Sequence, residues 1–353
     1  MGFELNKSYS GFRLTQKEEI SELKSLGLFF EHDVTGAELL VLENDDDNKV
    51  FSATFRTPPE NDTGIAHILE HSVLCGSKNF PVKEPFVELM KGSLQTFLNA
   101  MTFPDKTMYP VASRNQKDFY NLMNVYLDAV FYPTISEDTF KQEGWHYELN
   151  SPEDKIVYKG VVLNEMKGEF SSPESCIDRQ LAHSLFPSTP YGFESGGDPA
   201  CIPNLSYGEF KEFHRKHYHP SNSRLFLYGD GDTQSYLDYL QANYLKDFGL
   251  MDVNTSIPHQ RSFRKAKRKN LTYPISSHES LEKKTYVLLG YKLDKAINHE
   301  HCLGFSILSH LLLGSSASPL RKALITSELG SEVIGGGFDD NRADTIFAVG
   351  LKG

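Results

Sequence analysis

The sequence predicts an α+β fold in which strands come in two clusters, with long helices between and after them. Three observations support this class. Residues 12–56 alternate in the manner of an antiparallel sheet. Residues 115–131 repeat apolar side chains with helical periodicity. The composition changes after Asp247, where a second and shorter set of strands and helices begins.

The first strand cluster is followed by a short helix that carries two histidines and a glutamate. The strand-like segments are residues 27–34, 37–43 and 50–56. The acidic turn at residues 45–48 lacks the spaced ligands and terminal Glu of a calcium loop, so we interpret it as a solvated hairpin tip. Residues 64–75 are predicted to be helical. Three polar residues just upstream are N-cap candidates, namely Asn61, Asp62 and Thr63.

Further strands and helices complete a predicted α+β domain over residues 1–250, the domain that carries the candidate catalytic residues described below. The predicted helices are residues 84–94, 115–131, 136–145, 173–185, 206–217 and 232–243, and the predicted strands are 95–103, 107–112 and 222–229. Within residues 154–170, Val161, Val162 and Met166 supply an apolar face. Glu165 and Glu169 lie one helical turn apart on another face.

Residues 251–275 are predicted to be a linker, and residues 276–353 an incomplete second α+β domain of the same type. Segment 261–269 holds six cations, which favours a solvated linker over a polyanion site. The predicted strands are 285–291, 333–337 and 345–350, and the predicted helices are 300–313 and 318–328. A unit that stops just after a strand suggests a fragment.

Composition restricts the partners and the compartment. The formal net charge of -11 argues against nucleic acid, and no apolar run reaches the roughly 18 residues of a membrane span. Four cysteines without a C-x-x-C pair indicate free thiols in a reducing compartment, and the N-terminus lacks a secretory signal. We expect a soluble intracellular protein. It would be cytoplasmic if bacterial, or from the mitochondrial or plastid matrix if a transit peptide has been removed.

The motif H-x-x-E-H within residues 64–75 places three functional side chains on one helix face. At about 100° per residue, His71 falls about 40° and Glu70 about 60° from His67. Two histidines at i and i+4 can bind one Zn²⁺ and leave room for a third ligand and a water molecule. The nearby carboxylate can take a proton from that water. The opposite face carries the apolar residues Ile65, Leu69 and Val73.

Spacing alone does not identify the third zinc ligand. The candidates are Glu165, Glu169, His146, Glu148 and the cluster His214, His217 and His219. That cluster runs off a helix end into Pro220, which favours a structural role for it. Cys75 lies two turns beyond His67, too far along the helix to share its metal.

At this point the sequence resembles the inverzincin metallopeptidases of the pitrilysin and insulinase family, and especially the presequence protease and falcilysin branch. The resemblance covers essentially the whole chain and rests on four segments. They are HILEHSVLCGS (67–77), QTFLNAMTFPDKTMYPVAS (95–113), YKGVVLNEMKGE (158–169) and FHRKHYHPSNSRLFLYGD (213–230).

The resemblance implies a pitrilysin-type fold and a role for each matched residue. His67 and His71 would bind one Zn²⁺ per chain, Glu165 would be the third ligand, and Glu70 would be the general base. Glu169 would lie behind the ligands or form a plain salt bridge. An extended peptide substrate would add as a strand to a sheet edge formed by Leu98, Asn99, Ala100 and Met101.

The implied function is a zinc metalloendopeptidase that degrades unstructured, targeting-peptide-like substrates. Family members have four similar domains in two halves that close into a chamber, and this chain resembles only the first domain and part of the second. We therefore expect activity to need the missing C-terminal half. The alternative is a non-catalytic binding or assembly subunit, against which the intact motif argues.

Overall fold

A computed structural model describes residues 2–353 and groups them into two compact units. The first unit contains residues 2–58, 62–164 and 195–255, and the second contains residues 59–61, 165–194 and 256–353. The grouping does not follow chain order, because a segment between residues 165 and 194 packs with the C-terminal part. The domain limits expected at residues 250 and 275 stay a prediction.

The first unit is built on a nine-stranded mixed sheet. Its strands are β1 Ser8–Tyr9, β2 Phe12–Ile20, β3 Ser25–His32, β4 Glu38–Glu43, β5 Lys49–Arg56, β6 Gln95–Leu98, β7 Met101–Thr102, β8 Lys106–Ser113 and β11 Ser223–Gly229, and a separate hairpin pairs β9 His146–Glu148 with β10 Val157–Lys159. The sheet order is β1-β2-β3-β4-β11-β5-β8-β6, with β7 also on β8. All pairs are antiparallel except β4 with β11. The predicted strands of this part are therefore confirmed, with one exception.

The exception is residues 95–103, which form two short strands rather than one. The interruption lies at Asn99 and Ala100, opposite Pro110 of β8. Asn99 N donates to the Pro110 carbonyl oxygen at 3.2 Å, but Pro110 has no amide hydrogen to return. The Tyr126 hydroxyl donates to the Asn99 carbonyl oxygen at 3.2 Å instead. The break follows from a missing donor in the neighbouring strand.

Helices cover the sheet and supply most of the core of this unit. They are α1 Ile65–Val73, α2 Pro85–Gly92, α3 Gln116–Phe131, α4 Glu137–Glu143, α7 Tyr207–His217 and α8 Thr233–Asn243, together with the start of α5 Val161–Glu169, whose residues from Glu165 onward group with the second unit. The long α3 begins at the N-cap Asn115, whose side chain accepts from Asp118 N. Its residues Phe119, Leu122 and Tyr126 are fully buried. The helical periodicity in the sequence thus correctly identified a core-facing helix.

The second unit contains a three-stranded antiparallel sheet and three helices. Its elements are α6 Pro173–Leu185, β12 Tyr286–Lys295, α9 His299–Leu313, α10 Pro319–Thr326, β13 Glu332–Asp339 and β14 Asp344–Lys352, with sheet order β12-β14-β13. Leu185 and Phe186 form a buried cluster with Tyr191 and Ile346. This cluster is the reason that α6 groups with the C-terminal sheet. The strands and helices predicted for residues 276–353 are present.

His214 is one of the histidines that the sequence left open as a metal ligand, and it has a structural role in α7. Its Nε2 contacts the Val130 carbonyl oxygen at 2.9 Å. Burial lowers the pKa of His214 to about 4. The folded protein therefore holds a neutral imidazole that the unfolded chain would protonate near its ordinary pKa of 6.5. The resulting stabilisation is present above pH 6.5 and is lost as the pH falls towards 4.

We expect wild-type protein to lose about 2 kcal/mol more unfolding free energy than His214→Gln between pH 7 and pH 5, because glutamine cannot be protonated. Urea unfolding followed by the fluorescence of Trp145, in the same unit, measures the difference. His146→Gln, at the exposed hairpin, is the matched control and should behave like wild type. Equal pH dependence in wild type and His214→Gln would contradict this role.

Candidate metal centre

Helix α1 presents His67 and His71 side by side, as their spacing predicts. The two ring centroids lie 5.0 Å apart with an interplanar angle of 76°. Ile68, Leu69 and Val73 of the same helix are fully buried, so the other face of the helix seats it in the core. The helix thus fixes the spacing of the imidazoles, and its packing fixes the direction in which they face.

The start of α1 differs from the prediction. None of Asn61, Asp62 and Thr63 is the N-cap, which is Gly64 in a left-handed conformation with φ 67°. A Cβ atom on Gly64 would lie 2.7 Å from both the Gly196 carbonyl oxygen and Gly197 Cα. A tight backbone crossing, rather than a polar side-chain cap, therefore begins the helix, and only glycine fits it.

The same crossing positions the first histidine. The Gly196 carbonyl oxygen lies 3.1 Å from His67 Nδ1. Because a carbonyl oxygen can only accept, Nδ1 carries the hydrogen and Nε2 is the unprotonated nitrogen of the neutral ring. This tautomer is the one that binds a metal through Nε2.

A buried carboxylate positions the second histidine. His71 Nδ1 lies 3.3 Å from Glu143 Oε2, at the end of α4. Burial alone would raise the pKa of Glu143, but hydrogen bonds from His71 and Gln142 outweigh it and hold that pKa below its usual range. A carboxylate on Nδ1 again directs Nε2 outward and makes the imidazole a stronger ligand.

Glu165 of α5 joins the two histidines. One ligand atom from each of His67, His71 and Glu165 lies within 4.8 Å of the others. Val162 and Leu163 are fully buried and Met166 nearly so, whereas Glu165 is exposed. Helix α5 therefore presents the carboxylate from an exposed face that adjoins its packed side. Glu165, which the family resemblance implies as the third ligand, is therefore the carboxylate that lies close to the two histidines.

Glu70, the predicted base, is buried beside the histidines. Thr102 Oγ1 donates to Glu70 Oε2 at 2.6 Å. Within residues 2–353, its other oxygen, Oε1, accepts no hydrogen bond. Burial and, after it, the charge of Glu70 raise the pKa of the Tyr126 hydroxyl. One carboxylate oxygen is thus anchored while the second is available for proton transfer.

The other candidate ligands lie in separate arrangements. The Ser175 hydroxyl donates to Glu169 Oε1 at the start of α6. His146 contacts the Lys141 carbonyl oxygen, and Glu148 binds Lys159 within the hairpin. None of these residues belongs to the group formed by the two α1 histidines and Glu165. Cys75 is a free thiol, and burial followed by the charge of Glu143 raises its pKa to about 12.

The segment predicted to bind the substrate includes β6, which is the last strand of the nine-stranded sheet, and its binding role stays a prediction. Three of its main-chain groups already have partners: Asn99 N donates to Pro110 O, Asn99 O accepts from Tyr126, and Ala100 N donates to Asn99 Oδ1 at 3.0 Å. Leu98 pairs with Val111, and Met101 pairs with Met108.

Three residues that hold the site were missed by the sequence analysis. Thr102, Glu143 and Gly196 act on Glu70, His71 and His67, respectively. Of the three, only Thr102 could have been suspected from the sequence, because it directly follows the predicted substrate edge at Met101. Glu143 and Gly196 are far from the motif in the chain, so no spacing rule could find them.

Comparison with known proteins identifies the class. Residues 55–169 match the family model "Insulinase (Peptidase family M16)", and residues 204–353 match "Peptidase M16 inactive domain". The chain belongs to peptidase family M16. This confirms the resemblance to the pitrilysin and insulinase metallopeptidases. Among residues 2–353, every helix is too short or too polar to cross a lipid bilayer.

Two relatives are about half identical to this chain. Protein HypA of Clostridium perfringens is 52% identical over 354 residues, covering 100% of this chain and 36% of that protein. Presequence protease 1, chloroplastic/mitochondrial, of Arabidopsis thaliana is 51% identical over 348 residues, covering 97% and 32%. The mitochondrial presequence protease of Mus musculus is 39% identical, covering 99% and 34%. The chain spans about a third of the length of these relatives.

Solved structures confirm the predicted fold. A peptidase M16 inactive domain from Pseudomonas fluorescens gives a TM-score of 0.70 at 18% identity, covering 92% of this chain and 74% of that one. Pitrilysin gives 0.66 at 14% identity, covering 97% and 35%. At these identities the likeness concerns the fold alone, and it confirms the pitrilysin-type α+β architecture.

We expect Gly64→Ala to lower the free energy of unfolding by at least about 1 kcal/mol, because alanine is strained at positive φ and its Cβ would meet Gly196 and Gly197. Gly168→Ala, in the last turn of α5 with nothing within 4 Å of the added Cβ atom, is the control and should change the free energy of unfolding by less than about 1 kcal/mol. Urea unfolding followed by circular dichroism compares them. An unchanged midpoint for Gly64→Ala would show that the crossing can relax.

Proposed function

We propose that this chain carries the metal-binding and proton-transfer residues of a zinc metalloendopeptidase that acts on unfolded peptides. The observation that carries the proposal is the group of His67, His71 and Glu165, with ligand atoms within 4.8 Å of one another. Membership of peptidase family M16 supports the reaction class. The names of the relatives, presequence proteases, support cleaved targeting sequences as substrates.

The donor set fits a catalytic zinc ion. Two imidazole nitrogens and one carboxylate oxygen are the ligand types and the number that such a site takes from the protein. Both imidazoles have Nδ1 held by a protein oxygen, which prepares Nε2 as the ligand atom. When bound, zinc supplies a Lewis acid that lowers the pKa of water and polarises a peptide carbonyl.

Glu70 moves the proton. Because Thr102 holds Oε2, Glu70 Oε1 is the atom that accepts a proton from the attacking water. The same oxygen then donates that proton to the amine nitrogen that leaves when the peptide C–N bond breaks. Thr102 keeps the carboxylate in one orientation through both transfers. An intact proton-transfer group argues against the alternative of a non-catalytic binding or assembly subunit.

An extended substrate would add to the edge formed by Leu98, Asn99, Ala100 and Met101. The Ala100 amide is bonded only to the neighbouring Asn99 side chain, a local contact that a peptide carbonyl could replace. The Asn99 main chain is committed to Pro110 and Tyr126, so the peptide would pair around it.

Turnover by this proposal also needs residues outside the present sequence. The chain spans about a third of its relatives, and the family architecture supports a second half that closes over the substrate. A missing donor to the developing oxyanion typically costs about 10² to 10³ in rate. We also propose that the protein works in a reducing compartment, because its four cysteines are free thiols.

We expect residues 1–353 to bind one Zn²⁺, and Glu165→Gln to weaken the affinity by more than about 100-fold, because replacing residues that only orient ligands already costs about 10- to 100-fold. Glu169→Gln, one turn along the same helix, is the matched control and should bind as wild type does. Competition with a chromogenic chelator measures the affinities. Equal affinities for wild type and Glu165→Gln would remove Glu165 from the site, and equal losses in the two variants would point to helix damage.

In an active form that includes the proposed second half, Glu70→Gln should retain zinc and reduce peptide turnover about 10²- to 10⁴-fold, because the amide cannot accept the proton. A quenched fluorescent peptide and zinc analysis of the same sample provide the two measurements. Undiminished turnover by Glu70→Gln would exclude Glu70 as the base. Full activity of residues 1–353 alone would refute the need for a second half.

A further inference from the structure

The second unit contains a cleft that none of the proposed chemistry uses. It has a volume of about 360 Å³ and lies among α9, α10 and β13. Its walls include Ser309 and His310 of α9, Arg321 of α10, and the backbone of Gly335 and Gly336 in β13. The lining contains no carboxylate.

Arg321 is the permanent charge of this cleft. It is half-buried, and across residues 2–353 it forms no ion pair. Its Nη1 donates to the Leu313 carbonyl oxygen at 3.5 Å, the outer limit for a hydrogen bond. By contrast, Arg342 in the same unit pairs with Asp339 at 2.7 Å. A guanidinium has five N–H donors in a planar fork, so most of the hydrogen-bonding capacity of Arg321 is unused.

The opposite wall offers backbone groups. The pairing of β13 with β14 shifts register between Ile334 and Gly337, so Gly335 and Gly336 have no opposed residue. Gly335 and Gly337 have positive φ values of 83° and 77°. Successive peptide units of alternating handedness form concave sites whose N–H groups bind anions. Ser309 Oγ accepts from Phe338 N at 3.1 Å and holds the end of this bulge against α9.

One feature of the cleft opposes an anion. The carbonyl end of α9, at Leu313, carries the negative end of the helix dipole. The contact from Arg321 to the Leu313 carbonyl oxygen offsets that partial charge.

We propose that this cleft is a binding site for an oxyanion group, a carboxylate or a phosphate, held by the Arg321 guanidinium and the glycine bulge of β13. Both groups carry two oxygens on one central atom, which an arginine fork can bind through two parallel hydrogen bonds. The site lies wholly within the second unit and does not depend on the proposed peptidase chemistry.

Titration of isotopically labelled residues 1–353 tests the site. The probes are inorganic phosphate and an N-acetylated, C-amidated diglutamate peptide, each at constant ionic strength set with chloride. We expect saturable amide shifts at Ser309, Gly335 and Gly336 with at least one probe. A response to phosphate alone identifies a phosphate ligand, and a response to the peptide alone identifies a carboxylate ligand.

Two variants and a matched control make the test specific. Arg321→Met should weaken the response at least tenfold, whereas Lys322→Met, which removes the same charge from the next, exposed position, should change it less than twofold. Gly336→Asp places a carboxylate in the lining at a position with nothing within 4 Å, so the fold should persist and binding should be lost. Absence of saturable shifts with both probes, or equal weakening by Arg321→Met and Lys322→Met, would overturn the proposal. Zinc binding by these variants should be unchanged, which separates this result from the test of the metal site.

Discussion

The candidate centre depends on the hydrogen bonds that fix Nδ1 of its two histidines. An imidazole free to rotate would present either nitrogen, and a protonated one could not bind a metal at all. The Gly196 carbonyl oxygen and the Glu143 carboxylate each hold Nδ1–H of one ring and so select the tautomer with Nε2 unprotonated. Both partners come from segments distant from α1. The centre is therefore a property of the packed unit rather than of the motif helix.

The same packing explains why α1 begins without a polar N-cap. Polar side chains usually cap helices, and three polar residues precede α1, but the N-cap residue is Gly64. The close crossing with Gly196 and Gly197 leaves no room for a Cβ atom. A residue with a Cβ atom at this position would push away the Gly196–Gly197 backbone, which supplies the oxygen for His67. The helix thus lacks a side-chain cap hydrogen bond at the point where the backbone of Gly196 must approach His67 closely.

Glu70 is a buried carboxylate that is held in one orientation. It is one of the few buried acids in the chain, and a single hydroxyl, that of Thr102, holds one of its oxygens. Thr102 sits in β7, just beyond the break that Pro110 causes in the sheet edge. The break thus ends one short strand and begins another whose second residue reaches the base. The predicted substrate edge and the proposed base are therefore joined by a few residues of one irregular strand.

Much of this arrangement is determined by the sequence itself. Local periodicity identifies α1, α3 and most of the strands, because burial of one face imposes a repeat of 3.6 or 2 residues. The i, i+4 spacing places His67 and His71 together on any helix. Which carboxylate meets them, which atoms hold their rings, and where the 95–103 strand breaks were decided by the tertiary structure. Those contacts join residues far apart in the chain, and only packing, not spacing, brings such residues within a few ångströms.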